Sequence, residues 1–168
     1  MDLYLIRHAE AAPRDTPGYE DDWSRPLTEA GREQARRLGM LFRRLELRLD
    51  VVVTSPLLRA RETADVFVPQ LSEPRPKVEV FDEVGGNMRP KRVARYLEEI
   101  DKSALALVGH QPTLGGFLAW LIGSKKTRIE LDKAGVAWVT CESLEKGGGV
   151  LQWLVTPDLF PEPEEATP

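Results

Sequence analysis

Short apolar runs that alternate with longer amphipathic segments constrain the fold of this chain more than any other feature. The runs have the length of strands and are rich in Val, Leu and Ala, whereas apolar residues recur with helical spacing in the segments between them. The predicted strands cover residues 3–6, 51–53, 77–81 and 104–108. Alternation of this kind predicts an α/β fold, a three-layer αβα sandwich with a mostly parallel central sheet.

Four helices are predicted between and after these strands. Thr28 is placed to cap the first helix, whose apolar positions continue to Leu45, and Pro69 ends the second. The second, third and fourth helices are expected at residues 57–68, 91–100 and 112–122. Two further runs, at residues 136–141 and 150–155, flank a glycine-rich turn and predict a C-terminal hairpin, which brings the sheet to about six strands.

The size of the chain fits one domain followed by a short tail. With 168 residues, of which 42% are hydrophobic and 30% charged, the chain has enough apolar residues for a core. We expect a single catalytic domain over residues 1–156. Residues 157–168 carry four Pro and four acidic side chains, so they predict a tail that is disordered in its last part.

Charge and hydropathy exclude some classes of partner. The formal net charge of −4 argues against a nucleic-acid binder, which normally carries a basic balance. No apolar run approaches the ~20 residues of a membrane-spanning helix, and the first residues are too few for a signal peptide. One cysteine, Cys141, permits no internal disulfide. A cytoplasmic location is therefore the expectation, without nucleic-acid or membrane partners.

The two histidines of the chain both follow a predicted strand. His8 stands after Arg7 at the end of the first strand, and His110 stands after the strand at residues 104–108. The second strand leads into the run Ser55-Pro56-Leu57-Leu58-Arg59. Because the carboxyl ends of parallel strands meet at one edge of a sheet, we expect these side chains to converge there.

This set of side chains is suited to phosphoryl chemistry. Guanidinium groups match phosphate oxygens with paired, charge-assisted hydrogen bonds, and helices beginning near Pro56 and Pro112 would add backbone N–H groups. A neutral imidazole can attack phosphorus, while a second, protonated imidazole can stabilise the developing charge. A zinc site built from His8, His110, Glu10 and Asp82 is the alternative. Two arginines in the same pocket would repel a cation, so neither a metal nor a cofactor is expected.

The motifs resemble those of a known family. Arg7-His8-Ala9-Glu10 resembles the RHG motif of the histidine phosphatase superfamily, and the likeness continues at residues 25–35, 55–63 and 109–112. It covers about residues 1–156, and the compact length is most similar to the SixA-type phosphohistidine phosphatases. The resemblance implies that His8 accepts the phosphoryl group, that Arg7, Arg59 and His110 form the phosphate pocket, and that no metal is needed.

Three positions depart from the family pattern or are less determined by it. Ala9 replaces the usual glycine after the nucleophile. Arg14 stands where many relatives have a phosphate-binding Asn, so it either binds phosphate or faces solvent. The proton donor of many relatives follows the third strand, which indicates Glu83, with Asp82 as its neighbour.

Substrate size follows from the short loops. Few residues are available to cover the pocket, so we expect it to be open and to admit a phosphorylated side chain on another protein, such as phosphohistidine. A small phosphomonoester is the alternative substrate, and a binding module that captures phosphate without turnover is the alternative of a different class. Inorganic phosphate or sulfate is expected to bind in the same pocket.

Overall fold

The computed structural model describes residues 1–124 and 126–162, and these contain six strands and four α-helices. The strands are β1 (Asp2–Arg7), β2 (Val51–Thr54), β3 (Lys77–Val80), β4 (Ala104–Gly109), β5 (Val136–Cys141) and β6 (Gly149–Val155). The helices are α1 (Glu29–Arg44), α2 (Leu58–Phe67), α3 (Pro90–Ile100) and α4 (Thr113–Leu121). Each lies where the hydrophobic periodicity predicts it, with ends that differ by a residue or two. None of these described helices is long and apolar enough to cross a membrane.

The strands form one mixed sheet in the order β3-β2-β4-β1-β5-β6. The four strands from β3 to β1 are parallel, whereas β5 and β6 form the antiparallel C-terminal hairpin. The predicted topology is therefore confirmed. Arg7 pairs with Gly109 and Thr54 pairs with Val108, so β1, β2 and β4 end at the same edge of the sheet.

Helices cover both faces of the sheet, as the three-layer prediction requires. Alternate residues of β1 point to opposite faces. Ile6 belongs to the core with Phe42 of α1 and Phe67 of α2, whereas Leu5 belongs to the core with residues of α3 and α4. The central strands are buried on both sides, which explains why their sequences are continuous apolar runs rather than alternating ones.

The segment after β6 packs on the domain over its described part. Phe160 is buried in the core beside α1, and the Arg37 guanidinium donates to the Phe160 carbonyl at 2.8 Å. The disorder expected for the last part of the tail concerns residues 163–168, which lie outside the described residues.

Candidate active site

His8 lies immediately beyond β1, at the edge where three parallel strands end. Its backbone N–H donates to the Gly109 carbonyl at 2.9 Å, which continues the pairing of β1 with β4. The buried imidazole is oriented by its own neighbour, since Nδ1 lies 2.7 Å from the Ala9 carbonyl oxygen. A carbonyl only accepts, so Nδ1 carries the proton and Nε2 carries the lone pair. His8 therefore presents Nε2 as a nucleophile.

Arg59 approaches that same nitrogen from the first turn of α2. Its Nε lies 3.3 Å from His8 Nε2, and the side chain is almost fully buried. The other two guanidinium nitrogens donate to Asp22, one to the backbone carbonyl at 2.6 Å and one to the carboxylate at 3.0 Å. Asp22 thus fixes the plane of the guanidinium beside the nucleophile.

His110 faces His8 from the end of β4. The two ring centroids are 5.0 Å apart, and His110 Nε2 lies 2.7 Å from Ser55 Oγ. Arg7 is anchored nearby by a 2.8 Å hydrogen bond from its guanidinium to the Leu131 carbonyl. The structure therefore brings Arg7, His8, Arg59 and His110 together, as the convergence of strand ends predicts.

Two polar atoms of this cluster lack a hydrogen-bond partner. Within residues 1–124 and 126–162, the buried side-chain nitrogen and oxygen atoms without a partner are Arg7 Nε and His110 Nδ1. A buried polar group left unpaired costs about 1–3 kcal/mol, so such atoms call for an explanation. Both belong to the side chains that flank His8, and both could donate to an oxyanion bound beside His8 Nε2.

Both imidazoles are neutral near neutral pH. Burial, together with the nearby His110, Arg59 and Arg7, lowers the pKa of His8 to about 3, although the hydrogen bond to Ala9 opposes this. Burial and the charge of Arg59 lower the pKa of His110 to about 4. The protonated second imidazole expected from the sequence is therefore not found. A buried imidazole among guanidinium groups loses its proton because charge is costly there.

Asp22 is a site residue that sequence reasoning missed. Its carboxylate accepts from Arg25 at 2.7 Å and from Arg59 at 3.0 Å, and it lies 3.3 Å from Arg14. Partial burial alone would raise the pKa of Asp22, but the hydrogen bonds with Arg25 and Arg59 hold it below its usual value. An acidic residue in a polar loop gives no sequence signal of such a role.

Arg14 and Glu83 form ion pairs with residues outside the cluster of Arg7, His8, Arg59 and His110. The Arg14 side chain is 77% exposed, and its ion pair is with Asp22. Glu83 accepts from the guanidinium groups of Arg89 and Arg92. It forms one side of an open cleft of about 540 Å³, whose other side includes Trp23, the residue after Asp22. Glu83 thus lines a cleft to which Arg7, His8, Arg59 and His110 do not contribute, and its carboxylate is bound by two guanidinium groups.

The zinc alternative finds no support in the arrangement of ligands. In the part of the chain that the structure describes, no three His, Cys, Asp or Glu side chains lie close enough together to hold a metal ion. The side chains near the two histidines include the guanidinium groups of Arg7 and Arg59, which favour an anion.

Comparison with known proteins identifies the class to which this fold and site belong. Residues 3–87 match the model of the histidine phosphatase superfamily (branch 1). An uncharacterized protein from Picosynechococcus sp. is 34% identical over 140 residues, which cover 81% of this chain and 82% of the relative. The chain therefore belongs to the histidine phosphatase superfamily, and it is a phosphatase, a hydrolase that removes phosphoryl groups.

Within the superfamily the similarity is to SixA. The phosphohistidine phosphatase SixA of Escherichia coli is 26% identical over 165 residues, which cover 94% of each chain. The structure of the protein histidine phosphatase SixA complexed with tungstate superimposes with a TM-score of 0.82 at 25% identity, over 94% of this chain and 98% of that one. These comparisons confirm the predicted fold and the SixA type.

Proposed function

We propose that this chain removes the phosphoryl group from phosphohistidine on a protein, through a covalent intermediate on His8 Nε2. The observation that carries the proposal is the pair of unpartnered nitrogens, Arg7 Nε and His110 Nδ1, beside a neutral nucleophile that Arg59 contacts. An oxyanion at this position would satisfy both nitrogens. The similarity to the phosphohistidine phosphatase SixA, and the oxyanion tungstate in one SixA structure, support the same substrate chemistry.

The reaction follows from the charges of the pocket. Arg7, Arg59 and His110 hold the phosphoryl oxygens while the lone pair of His8 Nε2 attacks phosphorus, and the bond to the leaving group breaks. The substrate imidazole leaves with the electron pair of the broken P–N bond, and the proton that it already carries on its other ring nitrogen makes it a neutral leaving group. Water then attacks phosphorus, the bond to His8 breaks, and inorganic phosphate leaves with His8 neutral again. Charge stabilisation by fixed donors supplies most of the rate.

The environment of Glu83 favours phosphohistidine as substrate. A carboxylate that accepts from the guanidinium groups of Arg89 and Arg92 is poorly placed to give a proton to a leaving group. An alkoxide needs such a proton in the transition state. An imidazole leaving group has an unperturbed pKa of ~6.5 and can carry its own proton at neutral pH. The site therefore suits a leaving group that needs no acid.

A small phosphomonoester is the second candidate substrate. The cleft of about 540 Å³ lined by Trp23 and Glu83 is large enough for the alcohol part of such a molecule, and Trp23 directly follows Asp22, the partner of Arg59. Phosphate binding without turnover is disfavoured because a pure binder has no use for an oriented, unprotonated Nε2. We place the activity in the cytoplasm, in agreement with the single, buried Cys141.

A side-by-side kinetic comparison tests the proposed substrate. The protein is assayed for phosphate release from a phosphohistidine-bearing protein and from a panel of small phosphomonoesters, with the His8→Gln variant as control. We expect kcat/KM to be highest for the phosphohistidine protein and turnover of every substrate to vanish in the variant. A higher kcat/KM for one of the phosphomonoesters would contradict the substrate assignment, and turnover by the variant would contradict the nucleophile.

A further inference from the structure

We propose that Ser55 is a positioning residue that fixes the tautomer of His110. In this arrangement the Ser55 hydroxyl donates to His110 Nε2, so the single ring proton of the neutral imidazole lies on Nδ1. The tautomer follows from the hydrogen bonds alone. The role that we give to this tautomer is to donate a hydrogen bond from Nδ1–H to a phosphoryl oxygen, and that role rests on the proposed function.

Ser55 is held rigidly at the end of β2. It is fully buried, and its backbone N–H donates to the Val108 carbonyl at 3.0 Å, which continues the pairing of β2 with β4. Its Oγ has two partners, His110 Nε2 at 2.7 Å and the backbone N–H of Leu57 at 3.2 Å. The Leu57 N–H is only a donor, so one lone pair of Oγ is already used.

Counting protons distinguishes the two possible arrangements. If His110 Nε2–H donated to Ser55, Oγ would accept from two donors, and its own buried proton would find no acceptor among the hydrogen bonds of the described residues. If Ser55 donates to Nε2, the hydroxyl proton and both acceptors are satisfied. The second arrangement avoids a buried unsatisfied group, which costs about 1–3 kcal/mol.

The favoured arrangement also explains the unpartnered nitrogen. With Nε2 accepting from Ser55, the remaining ring nitrogen His110 Nδ1 carries a proton and is a donor without an acceptor. A donor beside Arg7 and Arg59 matches a phosphoryl oxygen. The opposite tautomer would turn the Nδ1 lone pair towards that oxygen and repel it. The pKa of about 4 agrees with a neutral ring.

Nuclear magnetic resonance tests the tautomer directly, because the chain has only two histidines. The imidazole nitrogens of the nitrogen-15-labelled, tag-free protein are recorded at neutral pH and assigned with the His8→Gln variant. We expect the Nδ1–H form for both rings. In Ser55→Ala the Nε2–H form of His110 should appear while His8 keeps its form. The control is Thr54→Val, which removes the neighbouring buried hydroxyl and should leave both rings unchanged.

The wild-type spectrum decides the proposal even if Ser55→Ala does not fold. An Nε2–H form of His110 in the wild-type protein would overturn it, as would an unchanged Nδ1–H form in folded Ser55→Ala. In folded Ser55→Ala we also expect kcat/KM to fall on the order of 10²-fold, as for the loss of one fixed donor to an oxyanion.

Titration with inorganic phosphate separates this proposal from the proposed function. We expect phosphate to shift the His110 Nδ1–H signal in the wild-type protein. If His110 has the Nδ1–H form but neither ring responds to phosphate, the tautomer assignment stands and the proposed phosphate site is wrong. If phosphate binds while His110 has the Nε2–H form, the assignment to Ser55 is wrong and the phosphate site stands.

Discussion

The two buried histidines make the stability of the fold depend on pH. In the unfolded chain both imidazoles titrate near the ordinary pKa of 6.5, whereas in the fold the pKa is about 3 for His8 and about 4 for His110. As the pH falls below 6.5, the unfolded chain therefore binds protons that the folded chain does not bind. The free energy of unfolding decreases until the pH approaches the lower, folded values.

The size of the effect follows from proton linkage. For one group with an unfolded pKa of 6.5, the loss on going from about pH 8 to about pH 5 is RT ln(1 + 10^1.5), or about 2 kcal/mol. Two such groups together cost about 4 kcal/mol, which is a large part of the typical stability of a domain, about 5–15 kcal/mol.

Urea unfolding monitored by tryptophan fluorescence measures this loss, because the chain has four Trp residues. The free energy of unfolding is determined at several values between about pH 5 and about pH 8 for the wild type and for His8→Gln and His110→Gln. Each variant should lose about 2 kcal/mol less than the wild type over this range. Carboxylates such as Asp22 titrate in all three proteins, so their contribution cancels in the comparison. Equal pH dependence in wild type and variants would refute the buried, neutral state of the histidines.

Three substitutions in or near the site have distinct expected outcomes. Arg59→Ala should lower kcat by on the order of 10²–10³, as loss of a fixed charge-stabilising donor does, and a normal rate would exclude Arg59 from the pocket. Asp22→Asn should lower kcat/KM about tenfold because Arg59 loses its ionic partner, while turnover should still require His8. An unchanged kcat/KM would show that Asp22 does not position Arg59. Glu83→Gln should slow phosphohistidine hydrolysis by less than about threefold, whereas a loss of ~10²–10⁴ on that substrate would make Glu83 its proton donor.

The central part of the site could be predicted because it depends on regular structure. His8 and His110 follow apolar strands, and the parallel pairing of β1 with β4 brings them together whatever the loops do. Arg59 follows β2 by the same reasoning, in the first turn of the next helix. The periodicity of the chain determines these positions, so the convergence was visible from the sequence.

Other features depend on loop conformation and on protons, which the sequence pattern does not report. Asp22 contacts Arg59 because the segment after β1 packs against α2. The sequence around Asp22 does not distinguish this residue from the neighbouring Asp21. The partner of His8 Nδ1 is a backbone carbonyl, so no particular residue type in the sequence indicates this hydrogen bond. The neutral state of His110 follows from its burial and the nearby charge of Arg59, whereas the expectation from the sequence considered only the positive charge that would stabilise the reacting phosphoryl group.

Trapping the covalent intermediate tests the central claim most directly. The protein is mixed with labelled phosphohistidine substrate, quenched during turnover and mapped by mass spectrometry, with His8→Gln as control. Phosphate that is stable to base, labile to acid and located on His8 is the predicted result. Phosphate on a serine or aspartate, or turnover with no phosphorylated protein at any quench time, would contradict the account.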